Sequence, residues 1–296
     1  MLHLEFAVAP SQINSLLDLV ILESRMGFEK GSVLSRFPKV WFKEVSQKLS
    51  AELDGTQLDK ATEKLRELKT NKMIALGRSY EGVEWTVAAK NSHSTRAFHR
   101  LVEDSLDELP IFTSSLMNLE DADFVYTSQY SRDAFSLADA ASALLFGAEK
   151  VTLYDPYICP SKPGCCKTLL ELMKLCNKDE VEFHIFSEED GKQVWERTEQ
   201  ALEALKATMP ENIKLYWYCI DDGGSGFLHA RGLFTAKGGL IYDRGFEEPN
   251  DVAQRAELTD ITPMPHDQLQ VKAKSYNTSL QYDDFDLVRG VWSSHP

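Results

Sequence analysis

The sequence predicts an α/β protein, with a helical N-terminal domain over residues 1–122 and an α/β domain with a mainly parallel sheet over residues 123–296. Three observations carry this. Beyond Asp121, short runs rich in β-branched and aromatic residues alternate with helical stretches, which is how βαβ crossovers read in sequence. Before it, apolar residues recur at helical rather than strand spacing. The chain has 296 residues with 43% hydrophobic and 26% charged, an ordinary globular balance.

Taken in order, Ile13, Leu16, Leu17, Leu19, Val20 and Leu22 predict a first helix, with Ser11 as its N-cap and Gly27 and Gly31 as its end. Pro38 reads as a first-turn proline before Trp41, Phe42, Val45 and Leu49. Thr56-x-x-Asp59 resembles a capping box for a helix to about Leu68, and residues 95–109 read as a further helix. Phe124–Thr127 reads as a strand, and Ser131–Phe146 as a helix closed by Gly147. Strands follow at 150–155, 181–186 and 213–220, separated by helices over Thr168–Cys176 and Gln193–Thr208. A strand containing His229 then turns at Lys237-Gly238-Gly239 into a second strand ending at Asp243. Leu269–Tyr276 reads as a late strand.

Several classes are disfavoured. A net charge of −14 opposes broad nucleic-acid binding, which needs a basic surface, but leaves room for a small basic pocket. No apolar run is long enough to span a bilayer, and no polybasic segment suggests a peripheral membrane protein. The first residues lack the basic and apolar regions of a signal peptide. Five cysteines, two of them adjacent at 165 and 166, make a disulfide framework a poor reading and a reducing cytoplasm the simpler one. Cys159, Cys165, Cys166 and Cys176 match no paired zinc spacing, so neither metal nor cofactor is expected. His93, Arg96, His99 and Arg100 gather cations, read as a solvated helix start rather than a phosphate site.

Three segments carry a family resemblance. They are Val151-Thr152-Leu153-Tyr154-Asp155-Pro156-Tyr157-Ile158, Leu228-His229-Ala230-Arg231, and Gly239-Leu240-Ile241-Tyr242-Asp243-Arg244-Gly245-Phe246. In order and spacing they resemble the phospholipase-D-like domain found at the C-terminus of MIT-domain proteins and in uncharacterised bacterial proteins. The resemblance covers about residues 124–280. Relative to the family, Ala230 replaces the usual Asp. Relative to the His-x-Lys-x4-Asp motif of active phospholipases D, Arg231 replaces the Lys and Ala236 stands where the Asp belongs.

The resemblance implies a non-catalytic binding or regulatory module, a pseudoenzyme acting through protein partners, in the setting of bacterial or phage conflict and antiviral defence. It also implies a homo-oligomer, because single-motif relatives pair across the site. The alternative is a degenerate phosphodiesterase or nuclease working as a dimer through His229. That chemistry needs a nucleophile, cations for the phosphoryl oxygens and a second His as acid. The candidate catalytic residue is therefore His229, and the candidate ligand-binding residues are Arg231, Asp155, Asp243 and Arg244. Against these stands a purely structural reading. There, His229 and Arg231 are relics, Arg231 pairs with Asp243 or Asp155, and Asp155 caps the turn through Pro156.

Overall fold

Buried parallel strands need not alternate, and the first residues of the chain show the consequence. In the computed structural model, Phe6, Ala7 and Val8 are all buried and lie in a strand, β1 (Leu4–Val8). The structure describes residues 1–82, 84–104, 109–188, 195–222, 224–277 and 288–295. The chain forms two units, His3–Tyr126 and Thr127–Pro296, the second including Met1–Leu2.

The first unit is α/β rather than helical. After β1 come α1 (Leu16–Arg25), β2 (Ser32–Ser35), α2 (Trp41–Glu52), α3 (Gly55–Asn71), β3 (Met73–Ile74), α4 (Trp85–Thr95), β4 (Arg100–Val102) and β5 (Phe112–Thr113). The strands form one sheet in the order β3-β2-β1-β4-β5, and every pairing is parallel. The expected helices over the first 70 residues are largely present. What the sequence concealed is a set of strands two to five residues long, too short to show a period of two.

Helix starts moved as well. Ser15, not Ser11, caps α1, through a capping box in which its hydroxyl accepts from Asp18 N and the Asp18 carboxylate accepts from Ser15 N. Thr56 lies inside the first turn of α3, which already begins at Gly55. Pro38 precedes α2, and its carbonyl accepts from Trp41 N at 2.9 Å. The expected helix over 95–109 is instead the end of α4 followed by β4, and residues 105–108 lie outside the described residues.

The second unit contains β6 (Gln129–Ser131), α5 (Ala134–Ala140), α6 (Ser142–Leu145), β7 (Lys150–Tyr154), α7 (Pro163–Lys174) and β8 (Val181–Glu188). It continues with α8 (Trp195–Lys206), β9 (Ile213–Ile220), β10 (Gly232–Phe234), β11 (Gly239–Tyr242), α9 (Val252–Arg255), β12 (Leu258–Pro263), α10 (His266–Ser275) and β13 (Val288–Ser293). The expected start of the third helix at Gln193 falls outside the described residues. The sheet order is β13-β9-β8-β7-β10-β11-β12-β6. The expected neighbours β7, β8 and β9 are adjacent and parallel, and β10 extends the same sheet. All other pairings are antiparallel, so the sheet is mixed, not mainly parallel. The parallel neighbours β7, β8 and β9 are joined through the crossover helices α7 and α8.

Two further expectations fail. Phe124 ends a 3-10 turn (Asp121–Phe124), and the strand begins later, at Gln129. The run Leu269-Gln270-Val271-Lys272-Ala273 alternates like a strand, but it lies in α10, which follows Pro265 and places Leu269, Ala273 and Tyr276 along one side. The helix expected over 131–146 is two pieces, capped at its start by Asp133, whose carboxylate accepts from Ser136 N at 2.9 Å, and interrupted at Ala141.

Register places side chains on two faces. Val151 and Leu153 share a face with Phe183, Ile185, Leu215 and Trp217. This face is covered by α8, whose Glu203 accepts from Trp292 Nε1 at 2.8 Å, Trp292 pairing with Trp217. The right-handed rule for parallel crossovers puts α7 on the same side. The opposite face carries Thr152, Tyr154, His184, Phe186, Tyr216, Tyr218 and Phe234. Most of these belong to an aromatic cluster with Tyr276 and Leu269, at the end and middle of α10.

Candidate functional site

The site is built at the C-terminal end of β7, where open α/β sheets present ligand-binding residues. Asp155 follows the last strand residue, and its N–H donates to the Phe186 carbonyl at 3.0 Å, continuing the ladder with β8. Its carboxylate is only 3% exposed. One oxygen accepts from Tyr157 N at 2.8 Å, closing the turn through Pro156, and the other accepts from Phe246 N at 3.3 Å. Both donors come from segments flagged in sequence, Asp-Pro-Tyr and Arg-Gly-Phe.

Gly245 makes the second contact possible. It has φ of 73°, and a Cβ there would stand 2.3 Å from an Asp155 carboxylate oxygen and 2.9 Å from Cδ of Arg231. Arg231 lies just before β10. Its Nε is 3.7 Å from Asp155, its guanidinium donates to the Asp243 carbonyl, and it sits over the Tyr157 ring at 5.0 Å. Burial pushes the Asp155 carboxyl up to about 6, against the two backbone N–H groups and Arg231, which favour the charged form. The residue after Arg231 must also be small. Tyr154 and Gly232 are paired, and the Tyr154 hydroxyl would be 2.5 Å from a Cβ on Gly232.

His229 is not on the strand as expected. It lies in the loop before β10, exposed, with its N–H donating to the Gly226 carbonyl at 3.1 Å. The glycine-rich run ahead of it favours turns over extension, which sequence periodicity does not register. His229 and Arg231 still share a cavity of about 420 Å³, together with Tyr157, Glu188, Asp222 and Leu228. Among the described residues no hydrogen bond reaches the His229 ring.

The other candidates separate from this group. Asp243 contributes its backbone carbonyl, and its N–H donates to Asp260 O at 3.0 Å, while its side chain is exposed. Arg244 pairs instead with Glu257 at 2.7 Å on the surface. Of the residues named from sequence, the structure brings Arg231 together with Asp155 and with His229; Tyr157, Glu188, Asp222 and Gly245, not named as site residues, lie beside them. Asp222 and Glu188 carried no signal, since their positions depend on where β8 and β9 end.

Other clusters offer less. His93 lies late in α4, accepting from Phe98 N, while Arg100 is on β4 and bonds Asp123 at 2.6 Å, so these cations do not form a helix start. The five cysteines are free thiols, and among the described residues no group of three His, Cys, Asp or Glu side chains is arranged to hold a metal. In the first unit, the sheet order reverses between β1 and β4. There Ser11 donates to Glu103 at 2.7 Å and Lys48 donates to the Ser11 carbonyl at 2.7 Å, so these groups satisfy one another. No described helix is long and apolar enough to cross a membrane. Compared with known proteins, the chain matches no family model and no curated protein.

Proposed function

We propose that this chain is a phospholipase-D-like binding and regulatory module that acts through protein partners rather than by turning over a phosphodiester. The observation that carries this reading is the engagement of Arg231. Its guanidinium is held by one hydrogen bond to the Asp243 carbonyl and by the Asp155 carboxylate 3.7 Å from Nε, which draw it toward the protein rather than toward a ligand. A cation that must stabilise a phosphoryl transition state has to aim free donors at the charge as it develops. Among the described residues Asp222 lines the same cavity, so an entering phosphodiester meets a carboxylate as well as the one guanidinium. The setting in bacterial or phage conflict and the homo-oligomeric state belong to the same proposal and rest on the family resemblance, while the cytoplasmic location rests on the five cysteines read as reduced thiols.

The second reading, a dimeric phosphodiesterase, has one observation in its favour: His229 is exposed in the same cavity as Arg231. A single assay separates the two. Wild type and His229→Ala are incubated with bis(p-nitrophenyl) phosphate and with single-stranded DNA, in the presence of EDTA. We expect no turnover by either protein. Cleavage by wild type that disappears in His229→Ala would establish the enzyme reading instead. Light scattering reports the assembly, where a multiple of the 33.5 kDa chain mass is expected.

A further inference from the structure

α10 lies over the Thr152 face of the sheet without sealing it. None of its residues is fully buried, and beside it lies a cleft of about 400 Å³. Phe234 and Thr152, paired across β10 and β7, form one wall; Leu269, Ala273 and Tyr276 form the other. The Phe234 and Tyr276 rings stand 6.5 Å apart and are tilted by 43°. The volume is that of a small-molecule site, and the walls are mainly apolar, as such sites usually are.

Thr152 supplies the polar group. The residue is 3% exposed and lines the cleft, yet its hydroxyl has no hydrogen-bond partner among the described residues. The hydroxyl is also not among the polar atoms sealed from solvent, so it faces the cleft. A hydroxyl that faces the cleft and has no protein partner is available to pair with a ligand. At the rim, His266 and Gln270 hydrogen-bond each other at 2.9 Å. Among the described residues Lys150 is the one lysine in the lining and no arginine joins it, which is a poor phosphate site.

We propose that this cleft binds a small planar aromatic molecule with one hydrogen-bonding group. Its ring lies among Phe234, Tyr276, Leu269 and Ala273, with offset or edge contacts to the two aromatic side chains. Its polar group meets the Thr152 hydroxyl. The proposal is independent of the chemistry assigned to Arg231 and His229.

Indole is the probe, because its N–H can donate to the Thr152 oxygen. Saturation-transfer NMR on the full chain should show indole binding, and a titration followed by amide shifts gives Kd. Ala273→Trp, at an exposed helix position, fills the cleft and should abolish binding. Thr152→Val keeps the shape and should weaken indole by about fivefold, the value of one hydrogen bond. 1-Methylindole lacks the donor, so it should bind wild type and Thr152→Val equally. If Ala273→Trp fails to fold by circular dichroism, the contrast between indole and 1-methylindole in Thr152→Val decides. No binding to wild type, binding unchanged in a folded Ala273→Trp, or equal weakening of both probes by Thr152→Val would each overturn the proposal.

Discussion

The two faces of the eight-stranded sheet do different work. The face under α7 and α8 is closed and apolar: Val151, Leu153, Phe183, Ile185, Leu215 and Trp217 are all at 0% exposure. The opposite face keeps polar tips on buried rings. His184 stacks on Tyr216 with centroids 4.7 Å apart and hydrogen-bonds the Tyr218 hydroxyl at 3.0 Å. Burial, with Lys150 nearby, drives the His184 imidazole down to about 4 despite Glu182 at 3.2 Å. Both cavities described above open along this second side or at its end. Among the described residues, two crossover helices cover the first face, while α10 and the loop residues Phe227 and Leu228 pack against the second.

The largest test of this contrast is a matched pair of truncations. Trp217→Ala removes a fully buried indole from the closed face, along with its hydrogen bond to Ser187, and should cost about 3–5 kcal/mol. Tyr216→Ala, one residue earlier and on the other face, removes a half-buried ring stacked on His184 and should cost roughly 1 kcal/mol. Urea-unfolding midpoints compare them. Equal losses would mean that the second face is packed as tightly as the first.

Next in size is the pH dependence of Asp155. Its carboxyl is raised from 3.8 to about 6 in the folded chain. The folded state therefore holds this proton more tightly than the unfolded state. The stabilisation it gives is fully present below about pH 3.8 and is lost as pH rises through about 6. Asp155→Asn removes this dependence. The stability difference between wild type and variant should shift by about 3 kcal/mol between pH 3.5 and pH 7, with wild type relatively better in acid. Subtracting the variant cancels the opposite trends from Asp123 and Glu248, whose lowered carboxyls lose stabilisation as pH falls. A flat difference would show that Asp155 ionises as freely folded as unfolded.

How far the sequence reveals these faces depends on burial. The alternation of strands and helices after Asp121 reports β7, β8 and β9 well, because each is followed or preceded by a long amphipathic helix. It fails for β1 to β5, where strands of two to five residues are too short for a periodicity to separate them from helix. It misassigns α10, where Leu269, Val271 and Ala273 alternate like a strand, although in the helix Leu269 and Ala273 share one side and Val271 is 62% exposed. At the site, Asp155 and Arg231 are legible from their turn-forming neighbours. Glu188, Asp222 and the unpartnered Thr152 are not, since what matters about them is what lies across space.

A smaller effect belongs to Gly245. Alanine there meets both a positive φ and a Cβ 2.3 Å from the Asp155 carboxylate. The expected loss is about 2 kcal/mol, about half of it from displacing the carboxylate from Phe246 N. Gly224 also has positive φ, but no heavy atom lies within 4 Å of its would-be Cβ. Gly224→Ala should therefore lose only the conformational part, about 1 kcal/mol. If both variants lose the same amount, the close approach at Gly245 contributes nothing.

The smallest expected effect is at His229. Its ring is exposed and has no hydrogen bond among the described residues, so His229→Ala should change stability by less than about 0.5 kcal/mol. Arg231, two residues on, differs because Asp155 depends on it. Arg231→Ala leaves a buried carboxylate without its cation, and its loss should be well above that of His229→Ala at pH 7. The gap should narrow at pH 5, where Asp155 is mostly protonated and needs no counter-ion. This pairing separates a residue held by the fold from one that the fold leaves to solvent. If His229→Ala proves as costly as Arg231→Ala, the imidazole is part of the structure and the loop before β10 is anchored by it.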